Sequence, residues 1–99
     1  MKDALTESEL QQALKGLPQW QQIDNQLYRQ FRFKNFAEAF AFMTQVAEHA
    51  EAMNHHPDWS NSYNKVDIYL SSHDIGKLSQ RDIALAAAID LIKIDVEIR

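Results

Sequence analysis

The sequence predicts an α+β fold: a two-layer sandwich of order α-β-β-α-β-β-α, with a four-stranded, mainly antiparallel sheet and helices on one face. Three observations predict it. Apolar residues at helical spacing recur in three segments, each preceded by a capping residue. Between them lie two pairs of short segments joined by turns rich in Asn and Asp. A chain of 99 residues has room for one core of ordinary size. The elements must therefore bury their apolar faces against one another, in a single domain spanning residues 1–99.

Thr6 and Glu9 have capping-box spacing, and Leu5 and Leu10 flank them as a hydrophobic staple. Leu10, Ala13, Leu14 and Leu17 follow at helical spacing, and Gly16 with Pro18 supplies the stop, so a helix runs from about Glu7 to Lys15. Trp20–Ile23 and Leu27–Phe33 form a hairpin about Asp24-Asn25-Gln26. In its second strand Leu27, Phe31 and Phe33 share one parity, with Arg29 the exception, while Tyr28, Gln30 and Arg32 take the other.

Asn35 caps a long second helix, with Glu38 three residues on. Phe36, Phe40, Met43, Ala47 and Ala50 make its stripe; Ala39, Val46 and Met53 widen it, and Phe42 lies off it. That face is wider than one sheet contact needs. It fits a deeply packed helix, or one that also meets another subunit. Residues before Pro57 disfavour helical geometry, which places the helix end near Met53 or Asn54.

Trp59 opens a second hairpin, Asn61-Ser62-Tyr63-Asn64 is its expected turn, and Val66, Ile68 and Leu70 alternate with Asp67, Tyr69 and Ser71. Ser79 caps a third helix with Asp82 in the box position, and Leu78 with Ile83 forms another staple. Ile83, Ala86, Ala87, Leu91 and Ile94 line one side of it. Ile92, Ile94, Val96 and Ile98 then alternate with polar residues, so the helix is expected to end near Ile92 in an extended tail.

Composition excludes several kinds of chemistry. With no cysteine there is no disulfide framework, thiolate zinc site or cysteine nucleophile. Two glycines leave no Gly-rich phosphate cradle or dinucleotide fingerprint. A net charge of −4 is a poor footprint for gripping nucleic acid backbones or anionic membranes. Met1 to Glu9 is polar and acidic, unlike a signal peptide, and points to a cytoplasmic protein.

Composition does not account for four histidines that all fall between His49 and His73. Glu51 and His55 are one helical turn apart, so the carboxylate is expected to touch and orient that imidazole. His55 and His56 are adjacent at a helix-to-strand junction and must diverge. His73 follows the fourth strand and shares parity with Asp67, Tyr69 and Ser71, which sends it to the side away from the main core. A helix end and a strand end can meet at one edge of the sandwich and bring these rings together. A metal would need three or four converging ligands, yet adjacent histidines rarely chelate one ion and no HExxH spacing exists. Asp82 is accounted for by its capping position, Trp59 and Tyr63 by hairpin packing, and His49 by an exposed helix face. Arg81, a cation in the first turn of a helix, opposes the helix dipole and hints at a partner.

The stretch Glu51-x-x-x-His55-His56-Pro57-x-Trp59, with Tyr63-Asn64-Lys65-Val66, Ser72-His73 and Leu78-Ser79-x-Arg81-Asp82, resembles the pterin-4a-carbinolamine dehydratases. The resemblance extends upstream through Phe31-x-Phe33-Lys34-x-Phe36 and Ala39-Phe40-x-Phe42-Met43, and covers roughly Leu10 to Leu91. It implies dehydration of a 4a-hydroxytetrahydropterin to the quinonoid dihydropterin, which recycles the cofactor of aromatic amino acid hydroxylases. The pterin is then the substrate, and neither metal nor redox cofactor is implied. Carried over by position, the catalytic set is His55, His56, His73 and Glu51. Pterin binding falls on Asn54, His55, His56, Ser71, Ser72, His73 and Asp74. Asn54 departs from the acid that animal relatives carry there. Those relatives also serve as dimerisation cofactors for a homeodomain transcription factor, and a homodimer or homotetramer is the expected assembly.

Overall fold

The computed structural model describes residues 4–93. Its elements are α1 (Glu7–Leu14), β1 (Gln21–Ile23), β2 (Gln26–Arg32), α2 (Phe36–Met53), β3 (Asp58–Ser62), β4 (Lys65–Leu70) and α3 (Gln80–Asp90). The four strands form one antiparallel sheet of order β1-β2-β4-β3. The predicted sandwich is therefore present, element by element. The alternation expected after Ile92 falls mostly on residues outside those described.

Each helix starts where its cap directs. Thr6 Oγ1 accepts from Glu9 N–H while Glu9 Oε1 accepts from Thr6 N–H, both halves of the expected box. Asn35 Oδ1 accepts from Glu38 N–H at the start of α2. Both hairpins turn on two residues with a left-handed first member, Asp24 at φ +54° and Tyr63 at φ +53°. Asn61 and Ser62, expected in the second turn, belong to β3 instead. Left-handed geometry is costly for a tyrosine. Here Asn61 Nδ2 donates to the carbonyls of Tyr63 and Lys65, and Asn64 Nδ2 to that of Phe33, which offsets the strain.

One sheet face is dry. Leu27, Val66, Ile68 and Leu70 point into the helix layer and are fully buried. Arg29 shares that parity and survives at its margin by donating to Asp90 Oδ1 at 2.7 Å, with its guanidinium 4.2 Å from the Phe31 ring centroid. Trp20 Nε1 donates to the same carboxylate oxygen, so the end of α3 is tied to the first hairpin.

Two helical stripes are rotated from their expected positions. In α2 the buried residues are Ala39, Phe42, Val46 and Ala50, with Phe42 packed between the rings of Phe31 and Phe33. Phe36 and Phe40 are exposed and stack on each other instead. In α3 the buried stripe is Asp82, Leu85, Ala86 and Ile89; Ala87 and Leu91 face out. This is strict i, i+3, i+4, i+7 spacing. Its first member is an acid, which apolar counting passes over.

The other sheet face is open and polar. Tyr28 packs against Tyr69, directly opposite it, with ring centroids 4.7 Å apart and planes tilted by 36°. The Tyr28 hydroxyl and Gln30 Nε2 both donate to Asp67 Oδ1. Those bonds hold the Asp67 carboxyl below the usual carboxylate range. The same hydroxyl bond, followed by burial, pushes the Tyr28 phenol up to about 12. A raised folded pKa means this stabilisation is complete below the unfolded value near ~10 and is lost as pH rises through about 12. The tyrosinate absorbance difference between the native protein and Tyr28→Phe is therefore expected to titrate near 12. In an Asp67→Asn background it should fall back toward ~10; a Tyr28 titration near that value in the native protein would refute the coupling.

Candidate active site

The C-terminus of α2 fixes the first part of the site. Asn54 adopts φ +52°, its N–H donates to Glu51 O, and His55 N–H reaches back to Ala50 O at 3.0 Å. This pair of bonds is a Schellman closure, and Asn is among the few residues that tolerate its left-handed position. The chain leaves the helix track at Asn54, so His55 does not stack above Glu51. The Glu51 carboxylate instead accepts from His56 Nε2 at 2.6 Å, on an exposed surface. The expectation that Glu51 orients His55 is corrected here: one left-handed residue moves the contact one position along.

His55 turns inward and is 7% exposed. Its Nε2 lies 2.7 Å from Asp82 Oδ1, and Asp82 is completely buried. The other carboxylate oxygen of Asp82 accepts from Ser72 Oγ at 2.7 Å and from Ser79 N–H at 3.0 Å. An ionised carboxylate is acceptor-only, and this one already accepts from Ser72 and Ser79, so the His55 ring donates through Nε2. Since the Ser72 proton points to Asp82, Ser79 Oγ–H donates to Ser72 Oγ at 2.6 Å. Ser79 Oγ in turn accepts from Arg81 N–H. Asp82 thus completes the start of α3 and holds a histidine with the same carboxylate. Sequence reasoning assigned it the first task only; its place at the head of the buried α3 stripe was the available signal for the second.

The loop after β4 brings the remaining residues. Ser72 N–H donates to Lys77 O, and Ile75 and Gly76 N–H both donate to Ser72 O, which makes residues 72–77 a compact turn. Gly76 supplies its positive φ of +65°. His73 is exposed, on the side parity assigns it, and its Nε2 lies 3.1 Å from Asp58 Oδ2. Asp74 pairs with Arg81 at 3.0 Å, the partner that the misplaced cation of α3 implied. That guanidinium bond holds the Asp74 carboxyl below its ordinary range, with a smaller pull from His55 nearby.

Two segments, residues 54–58 and 71–74, are therefore stitched together twice, by His55–Asp82–Ser72 and by Asp58–His73. His55, His56 and His73 each face a carboxylate through Nε2. Each ring that donates there leaves Nδ1 as the nitrogen that can accept or deliver a proton. Ser71 is buried at the strand end. Ser72 is fully buried with its hydroxyl committed to Asp82, so it builds the site from behind. His49 is exposed on α2, and Trp59 is packed against the core. Among the described residues, no three His, Asp or Glu side chains converge as a metal ion requires. None of the described helices is long and apolar enough to cross a membrane.

The sequence model of the family described as pterin 4 alpha carbinolamine dehydratase matches residues 3–92. A protein of Prochlorococcus marinus (strain MIT 9313) named as a pterin-4-alpha-carbinolamine dehydratase is 54% identical over 89 residues, 90% of this chain and 93% of its own. One of Rhodospirillum rubrum with the same name is 53% identical over 94 residues, 93% of this chain and 98% of its own. A crystal structure from Brucella melitensis, described as a transcriptional coactivator/pterin dehydratase, superposes with TM-score 0.85 at 42% identity, covering 89% of this chain and 96% of that one. A pterin dehydratase-like protein identified as a RuBisCO assembly factor in the α-carboxysome aligns with TM-score 0.60 at 25% identity, covering 72% and 82%.

Replacing Asp82 by Ala strands the buried donors of His55, Ser72 and the Ser79 amide, and is expected to cost about 3–5 kcal/mol of unfolding free energy. Asp82→Asn, which keeps the shape, should lose less but still well over ~1 kcal/mol. Urea unfolding curves measure both, and two variants as stable as the parent would contradict the bonding scheme.

Proposed function

Because the chain belongs to the pterin-4α-carbinolamine dehydratase family, we propose that it dehydrates a 4a-hydroxytetrahydropterin to the quinonoid dihydropterin by histidine acid/base catalysis. The observation that carries the reading is the set of three histidines, each held through Nε2 by its own carboxylate, on two segments stitched together.

The reaction breaks the bond from C4a to its hydroxyl and removes the proton from N5. The N5 lone pair helps expel the hydroxyl, so the step calls for proton carriers and for neither a metal nor a redox cofactor. Histidine suits it because its unperturbed pKa of ~6.5 makes both forms available near neutrality. His55 and His73 handle the leaving hydroxyl and the N5 proton. His56 holds the pterin ring, with Glu51 behind it. Asn54 and Asp74 complete the rim, Ser71 lies buried at the strand end beside them, and Ser72 acts through Asp82.

The single domain works in the cytoplasm, regenerating the pterin spent by aromatic amino acid hydroxylases. It assembles as a homodimer or homotetramer. The exposed Phe36–Phe40 stack, an apolar surface with no place in the core, favours that assembly, and sedimentation of the purified protein at the mass of one chain would rule it out.

The test is addition of the protein to freshly generated 4a-hydroxytetrahydropterin, with dihydropterin formation followed by absorbance. Acceleration by the native protein and a loss of ~10²-fold or more in His55→Ala and His73→Ala are expected. No acceleration would favour a binding role instead, of the kind described for the coactivator and assembly-factor relatives.

A further inference from the structure

His73 differs from His55 in what holds it. The residues on both sides of it are held by their side chains: Ser72 by the buried bonds to Asp82 and Ser79, and Asp74 by the guanidinium of Arg81. Its ring is not packed. The His73 side chain is 69% exposed, so its side-chain torsions are free unless something outside the loop restrains them. Asp58 does so from a rigid element. It is the first residue of β3, paired with Tyr69 of β4, and it follows Pro57, whose ring fixes the chain's entry. The sequence places Asp58 within the His-His-Pro stretch and assigns it no role there.

Resting on the function proposed above, we propose that Asp58 is a positioning residue for His73: it accepts the Nε2 proton, selects that tautomer and turns Nδ1 toward the pterin. The geometry is a single hydrogen bond of 3.1 Å between exposed groups. Its effect is correspondingly modest, and it falls on the step His73 performs. The same contact places an anchor of the loop histidine three residues from His55. The strand that follows the His-His-Pro turn therefore sets the relative placement of the two proton-transferring rings.

Nitrogen chemical shifts of the His73 ring at a pH where it is neutral read the tautomer without any substrate. The native protein is expected to show Nε2–H in excess, and Asp58→Ala a more even mixture; identical populations in the two would overturn the proposal. In the dehydration assay Asp58→Ala should lower kcat about two- to fivefold, the weight of an exposed charged contact, with KM changed little. Asp58→Glu should restore part of that loss. An unchanged kcat in Asp58→Ala, while His73→Ala is severely impaired, would also overturn it. A native protein without dehydratase activity would instead refute the function, and the nitrogen shifts would still decide whether Asp58 holds the ring.

Discussion

A single buried anion organises this molecule. Asp82 is fully removed from water and accepts from His55, Ser72 and the Ser79 amide. Those three donors come from the end of α2, the end of β4 and the residue that starts α3. A charge in that position is tolerable only when nearly every lone pair is matched. Satisfying it forces a helix end, a strand end and a helix start to one point. The requirement that makes the carboxylate costly also makes the site well defined, because a small displacement of any element leaves the anion short of a donor.

Exposure then divides the histidines by kind. His55 is locked by burial and a short bond to a group that is itself locked. His56 and His73 lie on the surface, each beside an exposed carboxylate, where a ligand can reach them and where a contact is worth little on its own. A site with one immobile ring and two accessible ones suits a reaction that must place a flat substrate accurately yet let water leave. The outer stripe of α2, with Phe36 and Phe40, is separate from this chemistry and faces away from the core.

The fold was legible because its signals are local. Capping boxes at Thr6 and Ser79, the stop before Pro57 and the alternation in β4 are read from neighbours in sequence, and the structure has each of them. The readings that failed assumed an unbroken helix at its end, or stopped at apolar composition and local bonds where tertiary contacts decide. Glu51 and His55 have helix spacing, but Asn54 has already left the helix, and the carboxylate meets His56. Phe36 and Phe40 are more apolar than Ala39 and Ala50, yet the small residues are the ones that let α2 approach its neighbours. Asp82 looked complete as a cap, since its second oxygen is needed by a residue 27 positions away. The His-His-Pro turn and His73 were legible as a group; their carboxylate partners Asp82 and Asp58 were not.

The claim that everything turns on the buried anion is tested most directly by a double-mutant cycle over His55 and Asp82, using His55→Ala, Asp82→Ala and the pair, with unfolding free energies from urea titration at neutral pH. If the two groups act as one unit, the double variant loses less than the sum of the singles, with a coupling of about 1.5–3 kcal/mol. Losses that add to within ~0.5 kcal/mol would contradict it.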